Sequence, residues 1–268
     1  MTQGYRALRE GAGWLDLSSR GRIVAQGRDR ARLLHNITSN EVKKMTPGSG
    51  CYAFLLSPQG RIQADLNLFC FPEDFLIDTE PEVREKVQQH IKRFVIADQV
   101  ELEDVSAQTG CIGVEGPAQV VPVPDSDYAH VEWEGCTVAR VTVTGQPGVR
   151  IFCPADRMAE VIAKVEAAGA RPATPDDARI VRIENGRPRY GEEITDTSLP
   201  QETQQMHGVS FTKGCYVGQE IVERIRARGH VNRKLERFEG TAPDGAEVAS
   251  SVVSPATGKT VGLAWVRA

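Results

Sequence analysis

CYAFLLSPQGRIQADLNLFCFPEDFLIDTEPEVREKVQQHIKRF, residues 51–94, holds the reading on which the fold turns. Cys51 to Leu56 and Arg61 to Phe71 are apolar runs on either side of Ser57-Pro58-Gln59-Gly60, a turn sequence, and together they signal a β-hairpin. Phe75 to Asp78 reads as a further short strand. Pro81 then opens a helix whose apolar positions Val83, Val87, Ile91 and Phe94 recur at helical spacing. Hairpin, strand and helix thus follow one another without the strict βαβα alternation of a doubly wound sheet.

The pattern continues outward. Gly21 to Gln26 reads as a strand, and Asp29 as the cap of a helix carrying Ala31, Leu33, Leu34 and Ile37. Val100 to Val105, Cys111 to Val114, Thr137 to Thr144 and Val149 to Cys153 read as strands. Ala155 to Ala168 is a helix stopped by Gly169, and Asp176 to Asn185 is another, ended by Asn185-Gly186 and Pro188. From Asn232 onward three short strand-like runs form an all-β appendage. The class is α+β, and neither GxGxxG nor a Walker loop occurs.

Composition narrows the function classes. A length of 268 residues implies one large or two to three smaller domains. A net charge of −4 argues against a surface built to bind nucleic acid as a whole. No apolar run approaches the roughly 20 residues of a membrane helix. Met1 to Glu10 carries Arg6 and Arg9 and no apolar stretch, so no secretory signal is expected. The six cysteines are scattered without a CxxC, which fits a reducing, cytoplasmic setting; no stable metal or cluster site is expected from any Cys or His spacing.

Three segments carry candidate chemistry. In Lys213-Gly214-Cys215-Tyr216-Val217-Gly218-Gln219-Glu220, two glycines bracket a Cys-Tyr pair ahead of an Arg-rich apolar run. This reads as a tight loop opening a helix, with Cys215 near the positive helix start as a reactive thiol. The following Arg224 and Arg228 are either a solvated helix face or contacts for an anionic tail or RNA. Glu184 falls at the end of a helix, where the dipole disfavours a carboxylate; alone it is a solvated acid, or else a bidentate acceptor for a cyclic amidine edge such as a pterin's. Asp65 shares one strand face with Asn67 and Phe69, either on a wet face or as a carboxylate facing a cavity, able to serve as general base.

These segments together resemble the YgfZ-type folate-binding proteins, relatives of the aminomethyltransferase (T-protein) of the glycine cleavage system. Asn36 to Asn40, Gln59 to Leu66 and Arg182 to Glu193 are similar to T-protein elements, and Lys213 to Glu220 to the YgfZ branch. The resemblance implies three modules in a cloverleaf around a folate channel. They are a discontinuous first domain (1–46, 106–128 and 195–230), a ferredoxin-like second domain (47–105 and 129–194) and a reduced C-terminal β-barrel (231–268). It implies tetrahydrofolate or a one-carbon derivative as ligand, with Glu184, Asp65, Tyr190 and Asn40 as folate-binding residues. It further implies an accessory role in the assembly or repair of Fe–S proteins, including Fe–S-dependent tRNA-modifying enzymes, through transient Fe–S client or scaffold partners. The alternative is a folate-dependent aminomethyltransferase with Asp65 as its catalytic carboxylate. Direct nucleic-acid binding and membrane association are not expected. At Ile77-Asp78-Thr79 the chain departs from the T-protein Val-Asn-Ala, so the Asn that helps hold the pterin is missing.

Overall fold

The computed structural model describes residues 1–268. In chain order the elements are α1 (Gln3–Glu10), β1 (Gly13–Asp16), β2 (Gly21–Gln26), α2 (Arg30–Ile37), β3 (Gly50–Leu56), β4 (Ile62–Cys70), β5 (Asp74–Thr79) and α3 (Arg84–Lys92). There follow β6 (Glu101–Asp104), β7 (Thr109–Glu115), β8 (His130–Trp133), β9 (Cys136–Ala139), β10 (Gly148–Pro154), α4 (Met158–Ala167) and β11 (Arg171–Pro172). The chain closes with α5 (Pro175–Glu184), α6 (Gln219–Arg228), β12 (Arg233–Glu239), β13 (Glu247–Val253) and β14 (Thr260–Arg267). No helix is long and apolar enough to cross a membrane.

The residues group into two compact units. One comprises Arg20–Ser106, Arg189–Leu235 and Arg267–Ala268 and contains a five-stranded sheet in the order β3-β4-β5-β2-β6. Its neighbouring strands are antiparallel, and the β3–β4 hairpin sets Phe54 opposite Asp65 and Ala53 opposite Leu66. The turn forms as its residues demand: Gly60 N–H donates to the Ser57 carbonyl at 2.8 Å, and Gly60 adopts φ +73°. From Leu66 to Cys70 β4 is buried on both faces, so alternation there gives way to a continuous buried run. The helix opened by Pro81 begins as a 3-10 turn, Pro81–Val83, and buries Val87 and Ile91.

Asp29 precedes α2 as expected, but its carboxylate does not cap that helix. It accepts the Gln99 N–H at 2.9 Å and lies 3.3 Å from Arg32. A backbone donor from outside the helix and the side chain of Arg32 in its first turn compete successfully for it.

The other unit comprises Met1–Ser19, Ala107–Pro188 and Glu236–Val266. Its six-stranded sheet runs β11-β1-β7-β10-β9-β8. Ile112, Val114, Val138, Val149 and Ile151 pack with Val161 and Val165 of α4 in one core, while Tyr5, Leu8, Leu15 and Val181 form another. Thr174 and Asp177 form a reciprocal capping box at the start of α5, with Pro175 in the first turn. The strand expected over Thr137–Thr144 stops at Ala139. Beyond it the Glu115 carboxylate accepts the Val143 and Thr144 N–H groups at 2.7 and 2.9 Å, so a side chain replaces a strand partner. The three C-terminal runs are β12, β13 and β14, in one sheet ordered β12-β14-β13.

Candidate functional site

Asp65 sits on β4 with its carboxylate partly satisfied. Tyr52, two residues along β3 from its cross-strand neighbour Phe54, donates its hydroxyl to Asp65 Oδ2 at 2.9 Å. Oδ1 is buried without a hydrogen bond. Burial, and then the charge of Glu80, push the Asp65 carboxyl up to about 6, against the opposing pull of Arg20 and Tyr52. Burial acts on Glu80 in the same direction, but Arg20 and Arg189 outweigh it and hold Glu80 below the usual carboxylate range. Arg189 Nε lies 2.9 Å from Glu80 Oε2, and Arg20 pairs with the same carboxylate. Two neighbouring acids are thereby driven apart, one anionic and one able to hold a proton near neutrality.

The surroundings of Asp65 include residues that the sequence did not single out. The Tyr52 ring stacks on His207 at 4.9 Å between centroids and meets Phe54 edge-on at 5.2 Å. Gly208 permits this approach, because a Cβ there would lie 2.8 Å from Tyr52 Cδ1. Register arithmetic from the Ser57–Gly60 turn could have found Tyr52; nothing local points to His207, which is brought in from far along the chain. Tyr190 is buried, with Lys86 Nζ 6.0 Å above its ring. Burial, then the charges of Asp196 and Asp65, push its hydroxyl up to about 12. The structure therefore brings Tyr190 into the surroundings of Asp65.

Asp78, the departure noted at 77–79, is fully buried and committed elsewhere. Arg20 grips its carboxylate with two bonds of 2.9 Å, and Asn67 donates to it at 2.7 Å. Its charge is neutralised within the sheet rather than presented to a ligand.

The motif at 213–220 is fastened from its first residue. Lys213 is buried, and its ammonium donates to the carbonyls of His35, Thr38 (2.6 Å) and Asn40 (2.8 Å). It also lies 4.9 Å from the Tyr216 ring centroid. Burial lowers its proton affinity to about 8. Lys213 thus clasps the end of α2 and the turn after it. Asn40 adds to the clasp, donating to the carbonyls of Tyr52 at 2.7 Å and His207 at 2.9 Å.

Cys215 is exposed, and Gly214 has no atom within 4 Å of a Cβ position. Helix α6 begins only at Gln219, so the thiol stands four residues ahead of it rather than in its first turn. Gly218 caps the helix at φ +84°, where a Cβ would come 2.6 Å from the Ser57 carbonyl. This glycine is required both by its conformation and by the approach of the β3–β4 turn. Arg224 pairs with Glu220 at 2.6 Å and Arg226 with Glu223 at 3.4 Å. These pairs follow helical spacing on the exposed helix surface, and Arg228 is exposed as well.

Glu184, in the unit with the six-stranded sheet, is the last residue of α5, as the helix reading placed it. Its Oε1 accepts the Tyr5 hydroxyl at 2.8 Å, and Arg9 Nε lies 3.6 Å from Oε2. Its carbonyl accepts Arg237 Nε at 2.7 Å. Oε2 is buried and forms no hydrogen bond, an acceptor left open on a side chain only 6% exposed.

Known proteins resemble the chain along nearly its whole length. An aminomethyltransferase from Geobacillus kaustophilus is 29% identical, covering 98% of this chain and 81% of that protein. One from Rubrobacter xylanophilus is 28% identical, covering 98% and 78%. The crystal structure of glycine cleavage system aminomethyltransferase T from Bartonella henselae superposes with a TM-score of 0.85 over 99% of this chain and 81% of that one, at 16% identity; the likeness is one of fold. The family model for the GCVT N-terminal domain matches residues 1–213. This chain belongs to the GCVT N-terminal domain family.

Proposed function

We propose that this protein binds a reduced folate and that Asp65 handles a proton in a folate-dependent one-carbon transfer of the aminomethyltransferase type. The observation that carries the reading is Asp65 itself: a carboxylate with one oxygen held by Tyr52, the other buried and unbonded, and a proton affinity raised to about 6. Such a group can accept an N–H, and it takes up or releases a proton close to pH 6, as general acid–base work requires. Glu184, in the other unit, is separately a candidate acceptor. Glu184 Oε2 is also buried without a hydrogen bond, and a pterin offers N–H groups to an acceptor of this kind. Bound tetrahydrofolate would supply the nitrogens that carry the one-carbon unit. Tyr52 would orient Asp65, and the anionic Glu80 would keep its proton affinity high.

The test is tetrahydrofolate binding and turnover of a folate-linked methylamine donor. Asp65→Asn should retain binding and lose turnover, and wild-type turnover should rise as pH passes through about 6. An Asp65→Asn variant as active as wild type removes the residue from the chemistry. Glu184→Ala should weaken folate binding by about 1.5–3 kcal/mol, the scale of a charged hydrogen bond.

A second reading rests on a separate observation. Cys215 is exposed on a loop whose base is fastened by Lys213, a thiol that a T-protein transfer does not need. It supports a YgfZ-type folate-binding accessory factor acting on Fe–S proteins. In a deletion strain, rescue of Fe–S enzyme activity by wild type but not by Cys215→Ala would favour this reading. Equal rescue by both would exclude it.

A further inference from the structure

Within the unit built on the six-stranded sheet, residues 127–128, 140–142, 145–148 and Arg187 line a cavity of about 290 Å³. That volume falls just short of the range for drug-sized ligands, which begins at about 300 Å³, and suits a small group. Its polar lining comprises Tyr128, Arg140, Thr142, Gln146 and Arg187, with Asp127 as the one acid. None of these residues belongs to the folate reading given above.

The walls are held in place by contacts of the protein alone. Tyr128 adopts φ +63°, a left-handed conformation that costs a non-glycine residue roughly 1–3 kcal/mol. Its N–H donates to the Arg140 carbonyl at 2.9 Å, and Arg140 N–H donates to the Ala129 carbonyl at 2.9 Å. The facing segment is fixed by Glu115, which receives the Val143 and Thr144 N–H groups, and by Asn185, which donates to the Thr144 carbonyl at 2.8 Å. Glu115 is itself fully buried, so a costly carboxylate is spent on shaping this loop.

The chemistry of the lining is that of an anion receptor. Arg140 pairs with Asp127 at 3.2 Å and donates to the Asp125 carbonyl at 2.9 Å; the Asp127 side chain is 80% exposed. Arg187 lines the cavity together with Tyr128, near enough for its charge to act on the phenol. In its neutral form the Tyr128 phenol has an O–H to donate. Burial holds that hydroxyl in its neutral form, against the charges of Arg187 and Arg150. A planar guanidinium beside a free O–H donor matches the geometry of a carboxylate or phosphate oxygen pair.

We propose that this cavity binds the oxyanion group of a small metabolite, a carboxylate or a phosphate, through Arg187, the Tyr128 hydroxyl and Arg140. The site is distinct from the carboxylates Asp65 and Glu184, and it stands whether or not the chain transfers a one-carbon unit.

Calorimetric titration of the full chain with inorganic phosphate and, separately, with malonate, at fixed ionic strength, tests the proposal. Wild type should bind at least one probe saturably at a single site. Preference for phosphate identifies a phosphorylated ligand, and preference for malonate a carboxylate. Arg187→Gln should weaken binding at least tenfold and Tyr128→Phe several-fold, with circular dichroism unchanged. If Arg187→Gln does not fold, Tyr128→Phe and Arg140→Gln decide by the same criterion. Absence of saturable binding of both probes, or wild-type affinity in the folded variants, overturns the proposal.

Discussion

Replacing Asp65 with Asn should make the protein more stable at neutral pH but not in acid. The folded carboxyl titrates at about 6 and the ordinary value is 3.8, so between these limits the folded state holds a proton that the unfolded state has released. The raised value therefore supports stability below about pH 4, and that support is lost as pH rises through about 6. The gap of about 2 pH units, at about 1.4 kcal/mol each, costs wild type about 3 kcal/mol above pH 7 relative to a neutral side chain. Asn keeps an acceptor for the Tyr52 hydroxyl and removes the charge that burial and Glu80 oppose. Urea unfolding of both proteins, followed by circular dichroism from about pH 4 to about pH 7.5, gives the difference directly. The advantage of Asp65→Asn should grow by about 2.4 kcal/mol across that interval. A difference that does not change with pH would refute a raised proton affinity at Asp65, and with it the proton-handling role.

Other consequences concern the 213–220 loop. Lys213→Met leaves three carbonyls without their cation and should destabilise the protein by about 2–4 kcal/mol, measured by urea unfolding. Limited proteolysis should then cut within 212–218, where wild type resists. Gly218→Ala should cost about 2–3 kcal/mol, from its positive φ and the Ser57 carbonyl in its way, whereas Gly214→Ala, with open space at its Cβ, should stay within about 0.5 kcal/mol of wild type. Among the six cysteines, Ellman's reagent should find one fast thiol, Cys215. Cys51, pushed up to about 12 chiefly by burial, and the four buried thiols should react only on unfolding, and the fast phase should vanish in Cys215→Ala.

Local chemistry made much of the fold legible. Ser57-Pro58-Gln59-Gly60 between two apolar runs allowed little besides a hairpin, and the helical spacing of Val83, Val87 and Ile91 named a buried stripe that the structure reproduces. Where the reading failed, a distant group had intervened. Thr137–Thr144 has the composition of one strand, but Glu115, over twenty residues upstream, captures the N–H groups of Val143 and Thr144. Asp29 has the look of a cap, but the Gln99 N–H reaches its carboxylate.

For the site, the sequence by itself determined which residues could carry chemistry: a lone glycine-bracketed cysteine, an acid at a helix end and an acid in a strand. Their states were decided by tertiary structure, because burial and partners set proton affinity and availability. Asp65 is poised near neutrality only because burial strips it of water and Glu80 faces it, while Glu80 is discharged onto Arg20 and Arg189. Lys213 reads as a basic residue near a thiol, yet it is a clasp on the carbonyls that close α2. Period and turn chemistry act over a few residues and are written along the chain. Desolvation, ion pairing and the free or occupied state of a carboxylate oxygen depend on neighbours that only folding brings together.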